Sequence, residues 1–351
     1  MRAFDYQGSS AKILFGAGTR ARVAEAVEAL GCKRALVLST PHQAEDAQAI
    51  VALLADRAAG LFTEATMHTP VDVTERALQA MRDSDADCTV AFGGGSTTGL
   101  GKAIAYRLDT PQIVIPTTYA GSEVTPILGQ TQAGRKETVR DASILPEVVI
   151  YDPELTLGLR IPMTMTSGLN AMAHAAEALY ARDRNPISSL MAVEGLRALA
   201  DALPRIGESP RDIAARSGAL YGAWLCGTVL GTVGMSLHHK LCHALGGSFD
   251  LPHAETHAIV LPHAIAFNAA AAPEELQPIS EIFGGMAPGA ALHDFAVRIG
   301  APTALKDIGF REEDIGRAAE IATANPYWNP REVTRADIHA LLTAAWRGDA
   351  P

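Results

Sequence analysis

The chain has 351 residues, enough for two domains with separate cores. Apolar residues make up 48% and charged residues 19%, the balance of a soluble globular protein and not of a disordered one. A net charge of −10 excludes a broad basic face for nucleic acid, so an anionic ligand has to be met at local positive sites such as helix N-termini.

Aromatic residues are only 5%, which predicts cores of small aliphatic side chains and Ala-rich helices. The four cysteines, Cys32, Cys88, Cys226 and Cys242, form no C-x-x-C pair and read as reduced thiols of a cytoplasmic protein. Residues 1–8 carry no apolar signal region, and no run of 18 apolar residues predicts a membrane span.

Over the first 150 residues strand-like and helix-like segments alternate. Strands are predicted at Ala11–Phe15, Arg34–Ser39, Leu61–Thr66, Cys88–Phe92 and Pro111–Ile115. Helices are predicted at Thr19–Leu30, His42–Ala58, Val71–Asp87 and Leu100–Tyr106. That order implies a mostly parallel sheet with helices on both faces, a Rossmann-like layout. From Asp152 the texture turns helical: Thr164–Tyr180, Ser188–Ala202, Ile213–Gly231 and, after an Asn325–Arg331 loop, Arg335–Ala345. The predicted domains are therefore an α/β domain, 1–152, and an all-α domain, 153–351.

Phe92-Gly93-Gly94-Gly95-Ser96-Thr97-Thr98 joins a strand to a helix. Glycines let the backbone approach a phosphate, the helix start offers N–H groups, and the hydroxyls add donors. The run lacks the G-x-G-x-x-G spacing. Pro116-Thr117-Thr118-Tyr119-Ala120-Gly121-Ser122-Glu123-Val124-Thr125 follows the next strand, where ligands of open α/β sheets bind. Gly94, Gly95, Ser96, Thr117 and Thr118 are candidate cofactor residues. His239 and His243 share one face of a helix, and His253 follows a Gly246-Gly247 break and the turn Leu251-Pro252. His174 lies four residues after Asn170 on an earlier helix. Converging imidazoles point to a divalent metal or to acid/base chemistry. His238 and His257 are expected to line the same pocket.

The chain resembles the iron-containing alcohol dehydrogenase superfamily along nearly its full length. The resemblance rests on ILFGAG (13–18), FGGGS (92–96), PTTYAGSEVT (116–125), SGLNAMAHAAEALY (167–180) and H-x3-H-x-L-G-G-x5-P-H (239–253). It implies the dehydroquinate synthase-like fold, an N-terminal dinucleotide-binding α/β domain followed by helices, and a homodimer. The family's metal ligands, Asp and three His, fall on Asn170, His174, His239 and His253, and His243 on a histidine near the nicotinamide. An amide in place of the carboxylate is a weaker, neutral donor, so no metal is expected.

Within the superfamily, SGLNAMAH, GGGSTTGLGKA and LHHKLCHALGG resemble the branch that reduces maleylacetate, a dicarboxylate, to 3-oxoadipate in aromatic-compound degradation, generally without metal. The alternative is a metal-dependent alcohol dehydrogenase or aldehyde reductase of the same superfamily. The resemblance further implies proton donation by His243 or His253, substrate orientation by His174, His239 and Asn170, and a pocket role for Lys240. Ser39-Thr40 stands where NAD-strict members carry Asp, which implies use of both NADH and NADPH. Lys136 aligns with a lysine near the cofactor ribose.

Overall fold

The computed structural model describes residues 3–132 and 135–351, apart from the side chains of Arg135 and Lys136. The chain packs as two units.

The first, Gly8–Leu159, is built on six parallel strands in the order β1-β8-β5-β4-β2-β3. The strands are β1 (Lys12–Phe15), β2 (Ala35–Leu38), β3 (Ala58–Phe62), β4 (Cys88–Gly93), β5 (Gln112–Pro116) and β8 (Val148–Tyr151). Apart from edge strands β1 and β3 they are buried apolar runs, as a sheet covered on both faces requires.

Alternation assigns the faces. Val37, Val90, Phe92, Ile113 and Ile115 pack with Val23 and Val27 of α1 (Val23–Ala29) and Ile50 and Leu54 of α2 (Ala44–Leu54). Leu36, Leu38, Ala91 and Val114 pack with Val73 and Leu78 of α3 (Val71–Asp83) and Leu100 and Ile104 of α4 (Gly95–Leu108).

From β2 the chain steps outward to β3; from β4 it steps the other way to β5. The strand order thus reverses between β2 and β4, and ligands of such sheets bind beyond the carboxyl ends at that point. The loops leaving those ends are Ser39-Thr40 and Gly94-Gly95-Ser96.

Several predicted bounds shift. The Thr19–Leu30 helix opens as a 3-10 turn, with α-helix from Val23. Helix α2 stops at Leu54, and β3 begins at Ala58 instead of Leu61. Helix α4 starts at Gly95, directly on the glycine turn, not at Leu100. The alternation reading misses β8 and an antiparallel pair, β6 (Ile127–Gln132) and β7 (Arg135–Arg140).

The second unit holds Arg160–Pro351 and the described residues before Gly8. Texture changes at Asp152, but helical packing begins at Arg160. The intervening turn stays with the first unit because buried Asp152 accepts hydrogen bonds from the Gly18 and Arg20 backbone and the Arg20 guanidinium. Its helices are α5 (Ile161–Tyr180), α6 (Pro186–Glu208), α7 (Ile213–Thr232), α8 (Leu237–Phe249), α9 (His253–Ala269), α10 (Pro273–Ile282), α11 (Pro288–Arg298), α12 (Ile315–Thr323) and α13 (Arg335–Arg347). Helix α8 runs through Gly246-Gly247, so the predicted break is not there. It falls at Asp250, left-handed at φ 53°, and Pro252, which opens α9. No single helix among the described residues is long and apolar enough to cross a membrane, and the four cysteines are free and buried.

Candidate functional site

In the first unit the glycine turn is shaped by contact. Gly93 adopts φ 144°, and a β-carbon there would meet Gln43 Oε1 at 2.7 Å and Thr97 Oγ1 at 2.8 Å. A β-carbon on Gly94 would meet Thr118 Cγ2 at 3.0 Å. The two candidate loops therefore touch, and the Thr117 amide donates to the Gly93 carbonyl at 2.9 Å.

The start of α4, with exposed Gly95 and half-buried Ser96, offers unpaired N–H groups and the positive helix end. These residues fit a dinucleotide phosphate. Thr97 and Thr98 do not add donors, because both hydroxyls turn back to the Gly94 carbonyl, at 2.8 and 3.2 Å.

The remaining first-unit candidates divide. Ser39 is fully buried and its hydroxyl donates to the Thr40 carbonyl, which leaves half-buried Thr40 as the open member of that pair. Thr117 Oγ1 accepts from Gln43 Nε2 at 3.0 Å, while Thr118 remains half-buried. The Lys136 backbone pairs with Thr131 in the β6–β7 ladder; its side chain lies outside the described residues.

The histidines gather within the second unit. The His239 ring centroid lies 5.0 Å from that of His174, 5.2 Å from those of His238 and His257, and 6.3 Å from that of His243. The His253 and His257 rings are 4.3 Å apart. His174, His238, His239 and His257 are buried, whereas His243 and His253 are exposed at the edge of the cluster. Asn170 is buried on α5, one turn before His174. The half-buried Lys240 places Nζ 5.5 Å from the Tyr327 ring centroid, a cation–π contact with the 325–331 loop.

The organising group is one that the sequence reading passed over, Glu177. It sits on α5 three residues after His174, fully buried in an otherwise apolar stretch, and that isolation was its signal. Helix α8 has no side-chain cap of its own. The Glu177 carboxylate caps it from α5 instead, accepting from the backbone N–H groups of Ser236 (3.0 Å), His238 (2.8 Å) and His239 (3.4 Å). It also accepts from Ser236 Oγ at 3.0 Å, Tyr180 Oη at 3.1 Å and His239 Nδ1 at 2.7 Å. Burial alone would raise the pKa of this carboxyl; the hydrogen bond and charge of His239, with the backbone donors, hold it well below the ordinary range.

A chain of proton positions follows. His239 Nδ1 faces a carboxylate and carries the proton. His239 Nε2 meets His174 Nδ1 at 2.8 Å, a contact whose direction follows the tautomer. Both His239 nitrogens have partners within the protein. Beside this chain, His238 Nε2 and His257 Nδ1 are 3.0 Å apart. Burial lowers the His238 pKa to about 3 and drives His257 well below its ordinary value.

The donor set fits a resident cation poorly. Asn170 supplies a neutral amide where a divalent ion favours a carboxylate.

Residues 10–153 match the iron-containing alcohol dehydrogenase family, and residues 164–346 match its C-terminal region. The chain is 63% identical over the full length of both chains to a maleylacetate reductase of Rhizobium sp. (strain MTP-10005). It is 54% identical, over 99% of each chain, to a maleylacetate reductase of Sphingobium indicum. The crystal structure of maleylacetate reductase from Agrobacterium tumefaciens superposes with a TM-score of 0.97, at 63% identity and full coverage of both chains. With both halves matched and relatives alignable end to end, the chain belongs to the iron-containing alcohol dehydrogenase family.

Proposed function

We propose that this protein is a cytoplasmic, homodimeric reductase that converts maleylacetate to 3-oxoadipate with NADH or NADPH and without a metal ion. The named relatives support the reaction. The observation that carries the metal-free reading is Asn170, a buried neutral amide one turn before His174 where a divalent cation favours a carboxylate.

Reduction adds a hydride to one alkene carbon and a proton to its neighbour. The dinucleotide, when bound, supplies the hydride. As it arrives, negative charge builds on the conjugated ketone oxygen, and donors aimed at that oxygen lower the barrier. His174 is held by His239, itself fixed by Glu177, so the charge meets a fixed arrangement. The Asn170 amide donates where a metal ligand would accept, and Lys240 adds a cation at the same end of α8. His243 or His253 delivers the proton, since both imidazoles are exposed and can reach a ligand. The Gly94–Ser96 turn and Thr117–Thr118 hold the dinucleotide, with Thr40 and Lys136 near its ribose. Thr40 brings no negative charge against a 2′-phosphate.

The test is spectrophotometric: maleylacetate with NADH or NADPH, before and after chelation. Turnover should survive the chelator, and the two cofactors should give comparable kcat/KM. Activity restored only by Fe²⁺ or Zn²⁺ would move the assignment to a metal-dependent alcohol dehydrogenase. A thousandfold cofactor preference would refute dual use.

A further inference from the structure

Lys102 lies on α4, two turns beyond the glycine turn, and is 1% exposed. Its Nζ donates to the Ser122 carbonyl, to Thr125 Oγ1 at 2.9 Å and to the Ile127 carbonyl at 2.9 Å. An ammonium has three donors, and all three are used on one short segment. That segment is the far limb of the loop that begins Pro116-Thr117-Thr118. The near limb is held by β4, the strand that leads into α4, where the Thr117 amide donates to the Gly93 carbonyl at 2.9 Å.

The far limb is also secured from β8, where Tyr151 Oη donates to Glu123 Oε1 at 2.9 Å. Burial pulls the Lys102 pKa down to about 7, against the charge of Glu123, which favours protonation. An apolar side chain would fill the same space without that penalty. What an ammonium adds is a fixed geometry, three directions imposed on one loop.

We propose that Lys102 is a positioning residue for the dinucleotide: by clamping Ser122–Ile127 to α4 it fixes the height of Thr117 and Thr118 against the glycine turn. The proposal rests on the assignment of that loop to the cofactor. Its prediction concerns affinity for both dinucleotides and not the chemical step.

The experiment compares full-length wild type, Lys102→Met and Thr125→Val. Readouts are the Kd of NADH and NADPH by fluorescence, kcat and KM with maleylacetate, and Tm. Lys102→Met should weaken both dinucleotides about tenfold or more while kcat at saturating cofactor stays within about threefold. Thr125→Val, which removes one acceptor, should weaken them about threefold. A lower Tm with unchanged Kd in folded Lys102→Met overturns the proposal, because it marks a lysine that only stabilises. Should Lys102→Met not fold, unchanged Kd in Thr125→Val overturns it equally. Wild-type protein that binds neither dinucleotide sinks the cofactor assignment itself, a failure visible before any substitution is made.

Discussion

Replacing Glu177 by Gln keeps the shape of the side chain and exchanges one acceptor oxygen for an NH₂ group. Each oxygen serves several donors. Oε1 accepts from Ser236 Oγ, the His238 amide and Tyr180, while Oε2 accepts from the Ser236 and His239 amides and from His239 Nδ1. With the NH₂ on the Oε1 side the Ser236 and Tyr180 hydroxyls can turn to accept and only the His238 amide faces another donor; on the Oε2 side the Ser236 and His239 amides both do. A buried group left unsatisfied costs about 1–3 kcal/mol, and in the better orientation the variant should lose roughly that much. That is a sizeable share of the roughly 5–15 kcal/mol by which a domain is stable. The anion capping α8 is lost as well.

The kinetic effect is separate. Without a carboxylate at Nδ1, His239 can reverse its tautomer, and the contact with His174 can reverse with it. Loss of the orienting carboxylate in a Ser–His–Asp triad lowers kcat about 10⁴-fold; here, with no nucleophile to activate, roughly 10²-fold is expected. The assay is NADH oxidation in the folded fraction, established by circular dichroism at low temperature, together with the ¹⁵N shifts of His239. A folded variant with kcat within twofold of wild type and an unchanged tautomer would refute the reasoning.

His253→Ala should lower kcat by roughly 10²–10⁴-fold if this exposed imidazole donates the proton, and near-normal turnover would leave the role to His243. Stability should fall steeply in acid. Burial lowers the pKa of His238 to about 3 and of His263 to about 4, and that of His257 well below its ordinary value, whereas each is near 6.5 when unfolded. The unfolded chain therefore binds more protons below about pH 6.5, and stability drops as pH falls through that value, by about 1.4 kcal/mol per group per pH unit. Glu177, depressed when folded, withdraws its contribution lower still, as pH falls through the carboxylate range. A Tm that stays flat from about pH 7 to 5 contradicts this, and His263→Leu should flatten the slope by about a third. Gly99→Ala should cost about 1–3 kcal/mol, because a β-carbon there would sit 2.3 Å from Thr69 Oγ1; Thr69→Ala in the same chain should recover most of it in thermal melts.

Much of this protein was legible in its residues. Apolar runs at 35–38, 88–92 and 113–115, the first two each followed by a helical period, specify parallel strands covered on both faces, since only burial on both sides tolerates such runs. The glycine turn at 93–95 and the spacing of His239, His243 and His253 are local facts that need no tertiary structure.

Tertiary structure decided what those groups are paired with. Glu177 and Lys102 carry no local signal of their partners, and only packing shows one capping α8 from α5 and the other clamping a loop from α4. It also withdrew donors the sequence had offered: Thr97, Thr98 and Ser39 spend their hydroxyls on neighbouring carbonyls, and His239 spends both nitrogens within the protein. The physical reason is the same in each case. A motif fixes which polar atoms exist, but a buried polar atom must find a partner, and that partner comes from whatever chain the fold brings within about 3 Å.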